Sequence, residues 1–121
     1  MFDNLAERVN ANAALVRRGR YVNVTFLIES DDDRYVVRVR DGAIADVSQG
    51  SLLMPNWTFA LRGTREAWEK FLQARPPAGF TDIFALQRKK LLKMEGDLHP
   101  LMANLLYFKD VLASARQRET A

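Results

Sequence analysis

The chain has 121 residues with 48% hydrophobic and 27% charged content, ordinary globular values for one domain with a real core. Its 18 basic and 15 acidic residues leave only +3, and there is no cysteine. Disulfide frameworks, thiolate chemistry and cysteine metal sites are therefore excluded, and the small, scattered basic surplus does not describe a nucleic-acid binder.

Residues 2–18 predict a first helix, with Asp3 or Asn4 as cap and Leu5, Val9, Ala13 and Val16 on one face. Gly19 follows a basic last turn and suits a C-cap. Residues 21–30 switch to period two: Val22, Val24, Phe26 and Ile28 face one way, Asn23, Thr25 and Glu29 the other. Asp31, Asp32 and Asp33 read as a turn, because their spacing is not that of a calcium loop. Tyr35, Val37 and Val39 alternate in a second strand, and Asp41-Gly42 is a hairpin signal. Residues 43–48 form a third strand, poor in apolar side chains and suited to an edge.

A loop over 50–56 leads to a fourth strand in which Trp57, Phe59 and Leu61 alternate with Thr58, Ala60 and Arg62. Thr64 caps a short helix with Trp68, Phe71 and Leu72 on its apolar side, stopped by the run from Arg75 to Gly79. Thr81 or Asp82 caps another helix that buries Ile83, Phe84 and Leu86. Residues 91–95 form a fifth strand closed by Gly96-Asp97. Pro100 sits in the first turn of a final helix running to about Arg116. The order of elements is α+β: an antiparallel-rich sheet with helices over one face. No run reaches the ~20 apolar residues of a membrane span. The N-terminus lacks a signal-peptide layout, so a cytoplasmic location is the expectation.

In the final helix Leu101, Met102, Leu105, Leu106 and Phe108 join Val111 and Leu112 in an apolar surface wider than the usual stripe. The surplus favours an interior that holds an apolar ligand, and a dimer interface is the second explanation. Lining candidates are Leu101, Met102, Leu105, Leu106 and Phe108 from this helix, Phe80, Ile83 and Phe84 from the segment before it, and Trp57 and Phe59 from the sheet. Asn104 and Tyr107 are expected to bring polar tips near that surface. Arg88, Lys89, Lys90 and Lys93 are candidates for contact with an anionic head group or an anionic membrane surface. His99 is the sole histidine, next to Asp97, and reads as a helix-start residue. No serine or cysteine nucleophile signature is present, so no catalytic residues, metal or cofactor are assigned.

Two stretches carry a family resemblance. One is Trp57-Thr58-Phe59-Ala60-Leu61 followed by Gly63-Thr64 and the Trp68 helix. The other is Arg88-Lys89-Lys90-Leu91-Leu92-Lys93-Met94-Glu95-Gly96-Asp97-Leu98 before the last helix. In this order they resemble the sterol carrier protein, or nonspecific lipid-transfer protein, family, with the likeness spanning roughly Val24 to Leu112. The sequence departs from the family where a Gly-Lys pair often enters the fifth strand, and where Glu95 replaces an apolar or basic residue.

The resemblance implies one domain over 1–121, with a core of about 20–113 behind an N-terminal helix. It implies a five-stranded, mostly antiparallel sheet with an apolar tunnel between sheet and helices. The implied function is non-enzymatic carriage of a fatty acyl, acyl thioester, steroid or isoprenoid lipid. The rivals are a protein-interaction or homodimerisation module and a small isomerase-like enzyme. The latter would need a carboxylate such as Glu29 or Asp46 deep in a pocket beside a tyrosine.

Overall fold

The computed structural model describes residues 1–49 and 56–117. Two short helices, α1 (Leu5–Asn10) and α2 (Ala13–Arg18), precede strands β1 (Val24–Ser30), β2 (Asp33–Arg40) and β3 (Ala43–Gln49). β4 (Phe59–Gly63), α3 (Arg65–Phe71), α4 (Ile83–Arg88), β5 (Leu92–Gly96), α5 (His99–Ala103) and α6 (Leu105–Ala113) follow. The five strands form one sheet in the order β3-β2-β1-β4-β5. The β1–β4 pair is parallel and the other three pairs are antiparallel. The expected α+β class, strand number and mostly antiparallel pairing therefore hold, with β3 at an edge. The expected loop over 50–56 lies, apart from Asn56, outside the described residues.

Strand alternation builds the two faces. Phe26, Ile28, Tyr35, Val37, Val39, Phe59 and Leu61 are buried beneath the helices. Phe26 and Phe59, paired across the parallel ladder, stack with ring centroids 5.1 Å apart, and Phe108 of α6 meets both edge-on at 5.7 and 5.5 Å. Such edge-to-face contacts add about 0.5–1.5 kcal/mol each beyond burial. Trp68 from α3 packs edge-on against Phe2 and Phe71, and its indole N–H donates to the Glu29 carbonyl at 2.9 Å. The opposite face has a small cluster of Leu27, Val36 and Ala60, and beyond it a chain of ions.

Turn and cap chemistry follows the residue types. Asp41 and Gly42 both have positive φ, 51° and 81°, the geometry of a tight two-residue hairpin turn. Thr64 Oγ1 and Asp82 Oδ1 accept from the N–H groups of Ala67 and Ala85, three residues on, capping α3 and α4. Pro100 occupies the first turn of α5.

Three expectations need correction. The first helix is interrupted: Asn12 is extended (φ −99°, ψ 90°) and its Oδ1 accepts from Leu15 N, so a new helix starts there. Short polar side chains compete with the backbone in this way. In consequence Ala13 is exposed and Leu15 is the residue that enters the core. The final helix is also interrupted. Asn104 leaves helical geometry (φ −126°, ψ 40°) while its Nδ2 donates to the Pro100 carbonyl four residues back at 3.0 Å. Past Ala113 only turns continue, to Gln117, whose N–H donates to the Leu72 carbonyl at 2.8 Å. Lastly, Trp57 does not share a face with Phe59. β4 begins at Phe59, and Trp57 packs with Leu27, Val36 and Ala60 on the opposite side, with Arg62 5.6 Å above its ring.

Candidate functional site

α6 organises the helical layer, and its two sides differ. On one side Tyr107, Phe108 and Val111 are buried. The Tyr107 hydroxyl donates to the Gly42 carbonyl at 2.6 Å, joining α6 to the β2–β3 turn. Burial pushes its pKa up to about 12. Its ring lies so close to Gly19 that a Cβ there would collide with it. The expectation of a polar Tyr107 tip at a ligand surface is thus corrected: the group is a buried tie.

On the other side, a pocket of ≈260 Å³ opens between α3, α4 and α6. Its floor is Phe71, Ile83 and Leu112, and its rim carries Thr81, Asp82, Lys109, Asp110 and Arg116. Arg116 donates through Nε to the Phe71 carbonyl (2.9 Å) and through Nη2 to the Thr81 carbonyl (2.6 Å), and its guanidinium lies 4.5 Å over the Phe71 ring. Burial lowers its pKa, opposed by the charge of Asp82. Lys109 holds its ammonium 5.6 Å over the Phe84 ring. This combination of an apolar floor and a rim of two cations and two carboxylates suits an amphiphile with a polar head.

The predicted lining residues divide into several groups. Phe59, Ile83, Leu101 and Phe108 are in the core. Phe80 and Phe84 are half-buried against it, Phe80 beneath both Lys70 and Lys89. Leu105 is half-exposed. Met102 and Leu106 face solvent, 47% and 70% exposed. Trp57 is on the far side of the sheet. Between sheet and helices the interior is occupied by the rings of Phe26, Phe59 and Phe108. The pocket's Phe71, Leu112, Ala113 and Arg116 were not among the predicted site residues. Lys109, Leu112 and Ala113 fall on one side of α6 at intervals of three and one, a stripe that was legible in the sequence, whereas Arg116 reaches the pocket from the turns beyond the helix.

Of the four candidate head-group cations, Lys90 and Lys93 share one groove and Arg88 and Lys89 lie elsewhere. Lys90, in left-handed conformation (φ 61°), and Lys93, paired with Glu95 at 3.1 Å, line an open groove of ≈680 Å³ with Asp31, Asp32 and Arg62. Lys89 folds over Phe80, and Arg88 lies one turn beyond Phe84 on α4. Arg62 binds Glu29 at 2.5 Å and Glu95 at 2.9 Å, and Arg34 also reaches Glu29 at 3.2 Å. Hydrogen bonds from Arg62 and then Lys93 hold the Glu95 pKa down. Partial burial opposes, but Glu95 and Glu29 outweigh it and raise that of Arg62. Glu29 is therefore an ion-paired residue of the uncovered face. Asp46 is on edge strand β3 beside Arg38, 3.5 Å away, so neither carboxylate of the isomerase reading is under the helices. His99 is exposed, its backbone N–H donating to Asp97 Oδ1 at 3.0 Å.

This architecture is that of the sterol carrier proteins. The chain superposes on a crystal structure of sterol carrier protein 2 with a TM-score of 0.75 at 12% identity, over 95% of this chain and 92% of that one. It matches a ubiquinone-synthesis protein described as UbiJ-SCP2 (TM-score 0.61, 15% identity, 92% and 84% of the two chains). It also matches 16% of the length of the stereoselective inverting sec-alkylsulfatase Pisa1 from Pseudomonas sp., with 98% of this chain covered, a TM-score of 0.60 and 16% identity. No protein-family model and no curated protein matches the sequence. Among the described residues no helix is long and apolar enough to cross a membrane.

Proposed function

We propose that residues 1–121 act as a single cytoplasmic domain that carries a hydrophobic ligand without transforming it. The ligand class is a fatty acyl, acyl thioester, steroid or isoprenoid compound. One observation carries this reading: a pocket with an apolar floor and a polar, charged rim opens in the helical layer of a sterol-carrier-like fold. The apolar part of the ligand lies against Phe71, Ile83 and Leu112, and extends toward Phe80, Phe84, Leu101 and Leu105. Lys109 and Arg116 meet its polar end. Each methylene removed from water contributes about 0.8 kcal/mol, so binding of a long chain needs no reactive group.

Mass spectrometry of the purified protein, native and after solvent extraction, tests the proposal. A stoichiometric co-purified lipid is expected, and saturation at ~100 Kd of that compound stabilises by about 2.7 kcal/mol. Ala113→Phe, which fills the pocket from its rim, should abolish uptake and leave the fold intact. Ligand-free protein that no acyl, steroid or isoprenoid compound stabilises, together with a concentration-dependent dimer, would replace the carrier reading by the interaction module.

A further inference from the structure

Beside the pocket rim the helical layer carries an apolar surface that the fold leaves uncovered. Met102 and Leu106 are exposed on either side of the Asn104 interruption, and Leu105 is half-exposed next to them. Phe84 of α4 joins this surface through the Lys109 ammonium over its ring. Arg88, four residues beyond Phe84, stands on the same side of α4. Neither Arg88 nor Lys109 forms an ion pair among the described residues. The neighbouring carboxylates are engaged: Asp82 caps α4, Asp110 pairs with Arg18 at 2.6 Å, and Glu95 is held by Arg62 and Lys93.

From this arrangement we infer that the α4–α6 face docks on a membrane containing anionic lipid. Leu106 and Met102 enter the head-group region, and Arg88 and Lys109 contact lipid phosphate or carboxylate groups. Apolar side chains flanked by two cations that form no ion pair among the described residues match an interface that is apolar below and anionic above. A second copy of the chain is a poorer occupant. A two-fold interface would set this patch against itself, with its cations facing cations. The inference adds to the carrier reading a place where ligand is exchanged, and rests on that reading only for its purpose.

The test is flotation of the full chain with phosphatidylcholine vesicles, with and without phosphatidylserine. Binding is expected only with phosphatidylserine and should weaken with added salt. Leu106→Asp should lower it about tenfold or more, because a buried leucine is replaced by a charge. Arg88→Gln and Lys109→Gln should each lower it on the order of fivefold. Leu106 is exposed, so its variant should unfold at the wild-type urea concentration. Absence of flotation, or Leu106→Asp and the charge variants binding like wild type, overturns the inference. So does a lipid-free dimer that Leu106→Asp dissolves, which assigns the face to a second copy. Uptake of a fluorescent acyl probe in vesicle-free solution separates the two readings: flotation lost with uptake intact removes the docking surface alone, and the reverse removes the carrier alone.

Discussion

The two ends of the helical layer are built differently. At the α1–α2 end, polar side chains clamp backbone to backbone. Asn10 donates from Nδ2 to the Ile44 carbonyl (3.0 Å) and accepts from the Ile44 N–H (2.8 Å), so one side chain takes the place of a paired strand against the edge strand β3. Tyr107 ties α6 to Gly42, and Arg18 bridges α2 to Asp110. At the α4–α6 end a pocket stays open and two large apolar side chains meet solvent. Polar clamps close the first end, whereas at the other, where Arg116 also bonds the Phe71 and Thr81 carbonyls, partial packing leaves room for an occupant. Local stability should differ accordingly.

Substitutions can break this contrast, and the largest effect belongs to the shared core. Phe108→Ala removes the ring that meets Phe26, Phe59 and Tyr107, and should cost about 3–5 kcal/mol in urea unfolding. A smaller loss would mean that the rings above the sheet can close over the gap.

Tyr107→Phe leaves the Gly42 carbonyl without its donor and should cost about 1–3 kcal/mol. It also has a pH signature. The folded phenol titrates near 12, above the ordinary value of 10, because burial disfavours the phenolate. Its contribution is complete below the unfolded pKa and is lost as pH rises from about 10 toward 12. Subtracting the Tyr107→Phe stability profile from that of wild type should isolate this alkaline decline; parallel profiles would remove the buried tie.

Asn10→Ala should cost about 1–2 kcal/mol and raise amide exchange along β3 first, since both Ile44 backbone groups lose a partner. Thr64→Ala deletes only a cap and should cost about 1 kcal/mol. At the open end, Leu106→Asp should change stability by no more than about 0.5 kcal/mol. A large loss there would show that the exposed face contributes to folding after all, and would erase the contrast.

Local chemistry made much of the fold legible. Period-two runs such as Val22 to Ile28 and Tyr35 to Val39 identify strands whatever they pair with, because alternation is intrinsic to an extended chain. Asp41-Gly42, Thr64, Asp82 and Pro100 act within one turn of themselves, and each does what its residue type dictates. The Asn10-Ala11-Asn12 run and Asn104 carried a local warning as well, since asparagine side chains compete for helical backbone groups. That competition is nearly balanced in free energy, and the contacts of Asn10 with Ile44 lie 34 residues away.

The site was less legible for the same reason. An apolar stripe on the last helix specifies that it will be covered, but not by what. Tyr107 became a core tie because Gly42 and Gly19 lie against it, Leu106 stayed in solvent, and Trp57 went to the far side of the sheet. Of four consecutive-looking cations, Lys90 and Lys93 went to one groove, Lys89 to an aromatic ring and Arg88 to a helix end. By itself the sequence determined the strands, the Asp41-Gly42 turn, the Thr64 and Asp82 caps and the surplus of apolar surface, because these depend on forces acting over a few residues. Only the tertiary structure decided the parallel β1–β4 pairing, the pocket between α3, α4 and α6 and the face left open beside it. Those depend on which distant surfaces meet, and hydrophobic burial has no direction until the chain has closed.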